Sequence, residues 1–209
     1  HRKVGATSDF PFDHLKSTSY KIYVSLGTVF NNKPHVFEKI ISALNQPEFQ
    51  LVVSAGGAYD VLSQKQYPEN ILLFLSVPQV DILPLMDLVI GHGGNNSTNE
   101  TLAAGKPLIV IPVGGEQGDN ASRIEYLQSG LRLNMDTFTE QELFDKVCMI
   151  RNEPSYQEKA LYYKSRLEQT NGAMIASQLI AWVANKETLK RPEGFPLTVT
   201  PENVTALLS

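Results

Sequence analysis

The sequence contains few of the features that mark secreted, membrane-spanning or nucleic-acid-binding proteins. A single cysteine, Cys148, excludes a disulfide framework, and its apolar helical surroundings are typical of a buried structural thiol. No apolar run reaches the ~20 residues that a membrane-spanning helix needs, and residues 1–15 lack the apolar core of a signal peptide. The formal net charge of −4 argues against a nucleic-acid partner, because nucleic acids attract basic surfaces.

The residues that are abundant describe a folded α/β domain. With 42% hydrophobic and 19% charged residues, the 209-residue chain suffices for one sizeable domain rather than two. Short β-branched apolar runs alternate with segments of helical period. The predicted strands cover residues 20–24, 49–53, 71–75, 88–90, 108–111 and 132–133. The predicted helices cover residues 34–44, 59–63, 80–86, 97–104, 119–129 (closed by Gly130), 156–169 and 173–185, with a further helix after a cap at Thr139.

Strands that are almost entirely apolar and alternate with helices indicate a parallel sheet covered by helices on both faces. Ligands of such sheets bind at the carboxyl ends of the strands. The loops after Val24, Leu75, Ile90 and Ile111 meet at this edge, so ligand-binding residues are expected there. A dinucleotide-dependent dehydrogenase is poorly supported, because no G-x-G-x-x-G follows the first strand.

The segment 92–117, HGGNNSTNETLAAGKPLIVIPVGGEQ, follows one of these strands and is typical of a phosphate site. Its first glycines let backbone N–H groups approach an anion, and a helix predicted to open near Ser97 offers unpaired N–H groups and a positive dipole end. His92 and Asn96 add side-chain donors. The residues alone leave two alternatives open, a buried structural role for His92 and a capping box between Ser97 and Glu100.

The same segment resembles the donor-binding signature of nucleotide-sugar glycosyltransferases, the family of plant secondary-metabolite, animal UDP-dependent and bacterial macrolide enzymes. The matching residues are His92, Gly94, Asn96, Ser97, Thr98, Glu100, Gly105, Pro107, Pro112, Glu116 and Gln117, together with Pro78-Gln79 and Ser25-Leu26-Gly27-Thr28. The resemblance covers about residues 20–133. It implies one Rossmann-like half of the two-domain GT-B fold.

The resemblance also implies roles for individual residues. The diphosphate of a UDP-sugar or TDP-sugar is expected to contact Ser25, Gly27, Thr28, His92, Gly94, Asn95, Asn96 and Ser97. The base and ribose are expected to contact Val77, Gln79 and Glu100, and the donor sugar Glu116 and Gln117. Ser76 takes the place of the family's stacking tryptophan, so Val77 is expected to contact the base instead. The pair Gly56-Gly57 is interpreted as a simple turn.

In this family an amino-terminal domain binds the acceptor and carries the catalytic histidine, and the reaction inverts the anomeric centre without a metal. No residue here matches that domain, so we expect no catalytic residue in this chain and no activity from it alone. Residues 1–19 are predicted to be a linker from the missing domain, residues 20–185 the donor-binding domain and residues 186–209 a tail. The expected partners are a nucleotide-sugar and an amino-terminal domain, in cis or as a separate chain.

Two other functions remain open. The chain could be a non-catalytic nucleotide-sugar-binding subunit of a split glycosyltransferase, or a GT-B relative that uses UDP-GlcNAc. Five N-x-S/T sequons begin at Asn95, Asn96, Asn99, Asn120 and Asn203. Because three of them crowd the expected phosphate loop, where a glycan would block a ligand, a cytoplasmic location is predicted.

Overall fold

A computed structural model describes residues 10–27 and 31–169. Its centre is a parallel sheet with strand order β3-β2-β1-β4-β5-β6. The strands are β1 (Tyr20–Ser25), β2 (Phe49–Ser54), β3 (Ile71–Phe74), β4 (Leu88–Gly91), β5 (Leu108–Val110) and β6 (Gly130–Arg132). The predicted α/β fold class is therefore confirmed.

Helices connect the strands and cover the sheet. They are α1 (Pro34–Leu44), α2 (Tyr59–Leu62), α3 (Gln79–Ile82), α4 (Asn95–Ala103), α5 (Gln117–Tyr126), α6 (Glu140–Asn152) and α7 (Pro154–Gln169). Single 3-10 turns occur at Phe12–His14, Gly56–Ala58 and Leu83–Leu85. Contacts divide the chain into a unit over residues 1–166 and another over residues 167–209. Of the second unit, residues 167–169 lie in the described ranges.

The central strand β1 shows why the sheet is buried on both faces. Ile22 and Val24 belong to the apolar cluster that includes Phe37 of α1. Tyr23, between them, belongs to the opposite cluster with Leu102 of α4. Because successive side chains of a strand point to opposite faces, a strand covered on both sides needs apolar residues at most of its positions. This requirement explains the nearly continuous apolar runs of the sequence.

Two helix caps that look alike in sequence differ in the structure. Thr139 caps α6, and its hydroxyl accepts a hydrogen bond from the N–H of Glu142 at 3.0 Å. The matching pattern at Ser97 and Glu100 forms no cap, because α4 begins at Asn95, two residues earlier than predicted. Ser97 therefore lies inside the first turn, and the capping-box interpretation of these residues is wrong.

The prediction that Gly130 closes the fifth helix is also wrong. Helix α5 ends at Tyr126, and Gln128 adopts the left-handed conformation with φ 54°. Gly130 is instead the first residue of β6. A Cβ there would collide with the carbonyl oxygen of Leu108 on the neighbouring strand, so this glycine allows close approach of two backbones.

Residues in the segment 10–19 contact strands β2 and β3. The Phe10 ring lies 5.0 Å from that of Phe74, and the buried amide of Gln50 accepts from the N–H of Lys16 and donates to the carbonyl of His14, each at 2.8 Å.

The three domain boundaries stay predictions. Residues 1–9, Thr28, the predicted helix over 173–185 and the tail over 186–209 lie outside the described residues. No helix in the described part is long and apolar enough to cross a membrane.

Candidate functional site

A cleft of about 790 Å³ opens at the carboxyl ends of β1 to β4. Parallel strands bring the loops that follow them to one edge, which is where ligands of α/β sheets bind. The lining residues from the sequence-predicted site are Ser25, Gly27, Val77, Gln79, His92, Gly94, Asn95, Asn96, Ser97, Glu100 and Glu116. The structure therefore brings together eleven of the thirteen predicted residues; Thr28 lies outside the described ranges, and Gln117 stands apart from the lining.

His92 is held between two glycines at the end of β4. A Cβ on Gly27 would lie 2.6 Å from both Cε1 and Nε2 of the imidazole, and a Cβ on Gly94 would collide with the same ring. Gly27 and Gly93 also adopt φ of +82° and +83°, a conformation that side chains disfavour. The Asn120 side chain donates to the carbonyl of Gly93 at 2.7 Å and so ties this turn to α5.

Burial decides the charge of His92. Desolvation lowers the pKa of the imidazole below its ordinary value, and the nearby carboxylate of Glu116 opposes that shift. The ring is therefore neutral at physiological pH and offers one donor and one acceptor nitrogen. Its Nδ1 is buried and has no hydrogen-bond partner among the described residues. His92 can thus supply a hydrogen bond to a ligand without supplying a full positive charge.

The N-terminus of α4 faces the cleft beside His92. Gly94 is extended at the cap position (φ −63°, ψ 145°), and no side chain caps the helix. The N–H of Thr98 makes the first helical bond, to the carbonyl of Gly94 at 2.9 Å. The preceding residues Asn95, Asn96 and Ser97 line the cleft, and N–H groups at such positions lack partners within a helix. Together with the positive end of the dipole they can bind an anion.

Glu100 lies one turn further along α4 and takes part in a chain of hydrogen bonds. Nε2 of Gln79 donates to Oε2 of Glu100 at 2.6 Å. The hydroxyl of Tyr23 donates to Oε1 of the same glutamine at 3.2 Å. Because Glu100 interacts with Gln79 and lines the cleft, it is available to a ligand instead of capping the helix.

A buried asparagine joins the loops after β1 and β2. Nδ2 of Asn31 donates to the carbonyl of Gly27 at 2.6 Å, and its Oδ1 accepts from the N–H of Gly57 at 3.0 Å. Gly56 has φ +51°, and a Cβ on it would collide with the Asn31 amide. Gly56-Gly57 does form a turn, as predicted, and the pair also packs against Asn31 and lines the cleft.

Glu116 and Gln117 are adjacent in sequence but have different environments. Glu116 is exposed and lines the cleft. Gln117 is 6% exposed, and its Oε1 accepts from the N–H groups of Val113 at 2.7 Å and Gly114 at 3.2 Å. Gln117 thus uses its amide oxygen to hold the loop that carries Glu116.

Comparison with known proteins identifies the family. The profile of the family described as "UDP-glucoronosyl and UDP-glucosyl transferase" matches residues 18–183 of this chain. The chain belongs to this family. The match includes every strand of the sheet and every residue that lines the cleft.

Several relatives of this chain are much longer than it is. The uncharacterized UDP-glucosyltransferase YojK of Bacillus subtilis strain 168 is 31% identical over 181 residues, which are 87% of this chain and 44% of the relative. The NDP-glycosyltransferase YjiC of Bacillus licheniformis is 34% identical over 157 residues, 75% of this chain and 40% of the relative. The chain therefore spans less than half the length of these relatives.

Solved glycosyltransferase structures share the fold. The glycosyltransferase of kitacinnamycin superposes with a TM-score of 0.73 and 26% identity, over 79% of this chain and 43% of that one. The calicheamicin glycosyltransferase CalG4 gives 0.71 and 23% identity, over 81% and 45%. These matches confirm that the chain has the architecture of one half of the GT-B fold.

The wall of the cleft near β3 is aliphatic. Leu75 is 57% exposed there, Ser76 is also exposed, and Val77 is half-buried. Sequence reasoning singled out Val77 but missed Tyr23, Asn31, Ser54 and Leu75, because each of these four lacks a local motif.

Within residues 10–27 and 31–169 no cluster of three His, Cys, Asp or Glu side chains could hold a metal ion. Independence from a metal stays a prediction.

Proposed function

We propose that this chain is the donor-binding half of an inverting glycosyltransferase. The observation that carries the proposal is a single cleft lined by the neutral His92, the uncapped N-terminus of α4 and the carboxylate of Glu100. These groups match the successive parts of a nucleoside-diphosphate sugar. The proposal assigns the diphosphate, ribose, base and sugar to separate regions of the cleft.

The diphosphate lies at the glycine turns and the start of α4. Backbone N–H groups of Asn95, Asn96 and Ser97 provide donors, as do the hydroxyl of Ser25 and a ring nitrogen of His92. The glycines at either side of His92 let the phosphate oxygens approach the backbone closely. A neutral imidazole suits this position because it donates a hydrogen bond and needs no counter-charge when the ligand is absent.

The ribose lies at Glu100, whose carboxylate has two acceptor oxygens and no competing donor. Val77 contacts the base on the aliphatic wall, and Gln79 lies between the base and the ribose. The donor sugar lies toward Glu116, on the loop that Gln117 holds in place. The donor is a UDP-sugar or a TDP-sugar, and no metal is required for its binding.

The acceptor and the catalytic base come from an amino-terminal half, in cis or as a separate chain. Transfer requires a base within ~3 Å of the acceptor hydroxyl and a cleft that excludes water. Of the histidines in the described residues, His14 and His35 lie away from the cleft, and His92 is assigned to phosphate. The relatives are nearly twice as long as this chain, which leaves room for a second domain. In-line attack by the acceptor then inverts the anomeric centre.

The test combines binding and transfer. Calorimetry of the purified 209-residue chain should detect UDP or TDP binding, and His92→Ala should weaken it about tenfold, the factor for one strong hydrogen bond. His35→Ala is the matched control on an exposed helix terminus. With metal chelated, the chain alone should transfer no sugar to a panel of acceptors. Adding an amino-terminal half of a relative should restore transfer with inversion.

Two results would contradict the proposal. Failure of the folded chain to bind any nucleoside diphosphate would remove the donor-site assignment. Robust acceptor-dependent transfer by the chain alone would instead require a base among its own residues.

A further inference from the structure

Tyr23 lies on the central strand β1 and belongs to the lining of the cleft, where no role has been assigned to it. Its side chain is 2% exposed and points to the face of the sheet that α4 covers. Its hydroxyl donates to Oε1 of Gln79 at 3.2 Å, and Nε2 of Gln79 donates to Oε2 of Glu100 at 2.6 Å. A continuous chain of hydrogen bonds thus runs from the core of the sheet to the rim of the cleft.

The hydrogen bonds that link Tyr23, Gln79 and Glu100 have one consistent direction from donor to acceptor. The carboxylate of Glu100 only accepts hydrogen bonds, so the NH₂ group of Gln79 must face it. The amide oxygen of Gln79 then faces Tyr23, which must donate. Burial raises the pKa of the Tyr23 phenol above its ordinary value; the hydroxyls of Ser25 and Ser54 oppose the shift and Glu100 adds to it. The phenol therefore keeps its proton and remains a donor.

The chain of hydrogen bonds restricts Glu100. A free glutamate side chain rotates about three bonds, and fixing it costs conformational entropy. Here Gln79 anchors Oε2 of Glu100, and Oε1 makes no hydrogen bond to the described residues. The carboxylate is thus oriented before a ligand arrives, and one of its oxygens keeps its full capacity to accept.

We propose that Tyr23 is a positioning residue for ribose recognition, which acts through Gln79 to hold Glu100 ready for the vicinal hydroxyls of a nucleoside diphosphate. This inference rests on the proposed function, because it assumes that the ribose lies at Glu100. Gln79 then serves mainly as the link between the other two side chains. Tyr23 belongs to the lining of the cleft but is only 2% exposed, so its effect on the ligand is assigned to Gln79 and Glu100.

The first experiment varies the ligand. Calorimetry compares Tyr23→Phe with the unaltered 209-residue chain, using UDP, 2′,3′-dideoxy-UDP and inorganic pyrophosphate. Tyr23→Phe should weaken UDP binding about fivefold, the factor for one ordinary hydrogen bond. It should leave the affinities for dideoxy-UDP and pyrophosphate unchanged, since neither presents the ribose hydroxyl pair. Tyr20→Phe is the matched control, the same change on the same strand at the end away from the cleft.

The second experiment tests whether Tyr23 acts through its neighbours. Tyr23→Phe is measured again in chains that carry Glu100→Ala or Gln79→Met. Residues in one hydrogen-bonded network give non-additive effects, so Tyr23→Phe should cause no further loss of UDP affinity in either background. Thermal melts of each variant identify any that fail to fold, and the two backgrounds provide independent measurements.

Three outcomes would overturn the inference. An equal loss of affinity for UDP and pyrophosphate would place the effect in the phosphate loops. Additive losses in the Glu100→Ala and Gln79→Met backgrounds would remove the connection to the carboxylate. Normal UDP binding by Tyr23→Phe would refute the positioning role and leave the proposed function intact, whereas failure of the unaltered chain to bind UDP would refute both.

Discussion

The His92 ring lies between Gly27 and Gly94, so a methyl group on either glycine must displace it. The two glycines differ in backbone conformation. Gly27 has φ +82°, which disfavours any side chain, whereas Gly94 has φ −63°, which alanine adopts freely. Gly94→Ala therefore measures the displacement of the ring alone, and Gly27→Ala measures the same displacement together with backbone strain.

The magnitudes follow from these two contributions. Turning the ring about 30° away from its rotamer costs about 0.5–1.5 kcal/mol, and overpacking brings the total for Gly94→Ala to about 1–3 kcal/mol. The left-handed backbone adds about 1–2 kcal/mol at Gly27, so Gly27→Ala should lower the free energy of unfolding by about 2–5 kcal/mol. In a His92→Ala chain the ring is gone. Gly94→Ala should then cost almost nothing, and Gly27→Ala should still cost about 1–2 kcal/mol.

Urea denaturation followed by circular dichroism measures the free energy of unfolding of all six chains: the unaltered chain, the three single variants and the two double variants. Calorimetry with UDP provides a second measurement, because a displaced ring should weaken binding in Gly94→Ala as much as its removal does in His92→Ala. The reasoning fails if Gly94→Ala is as costly in the His92→Ala background as in the unaltered chain. Equal costs would mean that the imidazole does not occupy the space between the glycines.

Three further predictions concern other parts of the cleft. Glu100→Ala should weaken UDP binding by about 1.5–3 kcal/mol without changing the melting temperature of the free chain; Thr139→Ala, which removes a true helix cap, should do the reverse and cost about 0.5–2 kcal/mol of stability. Glu116→Ala should weaken UDP-sugar binding more than UDP binding at unchanged stability. Gln117→Ala should in addition lower the free energy of unfolding by about 1–3 kcal/mol, because two loop N–H groups lose their acceptor. Equal stability of the Glu116→Ala and Gln117→Ala chains would contradict the role assigned to Gln117 in holding the loop. Burial lowers the pKa of His92 in the folded state, so the unfolded chain, with a pKa of ~6.5, binds the proton more readily. The unaltered chain should therefore lose stability relative to His92→Ala as the pH falls below ~6.5, and denaturation at about pH 7.5 and about pH 5.5 tests the sign.

The sheet could be predicted from the sequence because its signal is local. A strand buried on both faces is largely apolar, so segments such as β2 (Phe49–Ser54, apart from Gln50) and β4 (Leu88–Gly91) are visible as short apolar runs between turns. The order of loops along the chain then places the cleft at the carboxyl edge. The motif that begins at His92 indicated the family for the same reason, because its residues are contiguous in sequence.

The supporting side chains could not be predicted, because their partners are distant in sequence. Tyr23 and Gln79 are 56 residues apart, and Asn31 and Gly57 are 26 residues apart. No local pattern identifies which polar group a buried amide or phenol will meet. The predicted start of α4 was wrong for a related reason. Ser97 and Glu100 have the spacing of a capping box, but the extended backbone at Gly94 starts the helix earlier.

Three of the side chains that hold the loops of the cleft to one another or to themselves are carboxamides. Asn31 joins the β1 and β2 loops, Asn120 holds the turn at Gly93, and Gln117 holds the loop before α5. A carboxamide neither gains nor loses a proton in the range where proteins stay folded. These contacts between and within the loops therefore do not respond to acidity. Any change of donor affinity with pH should arise from the ligand's phosphates and from the titratable side chains that line the cleft, His92, Glu100 and Glu116.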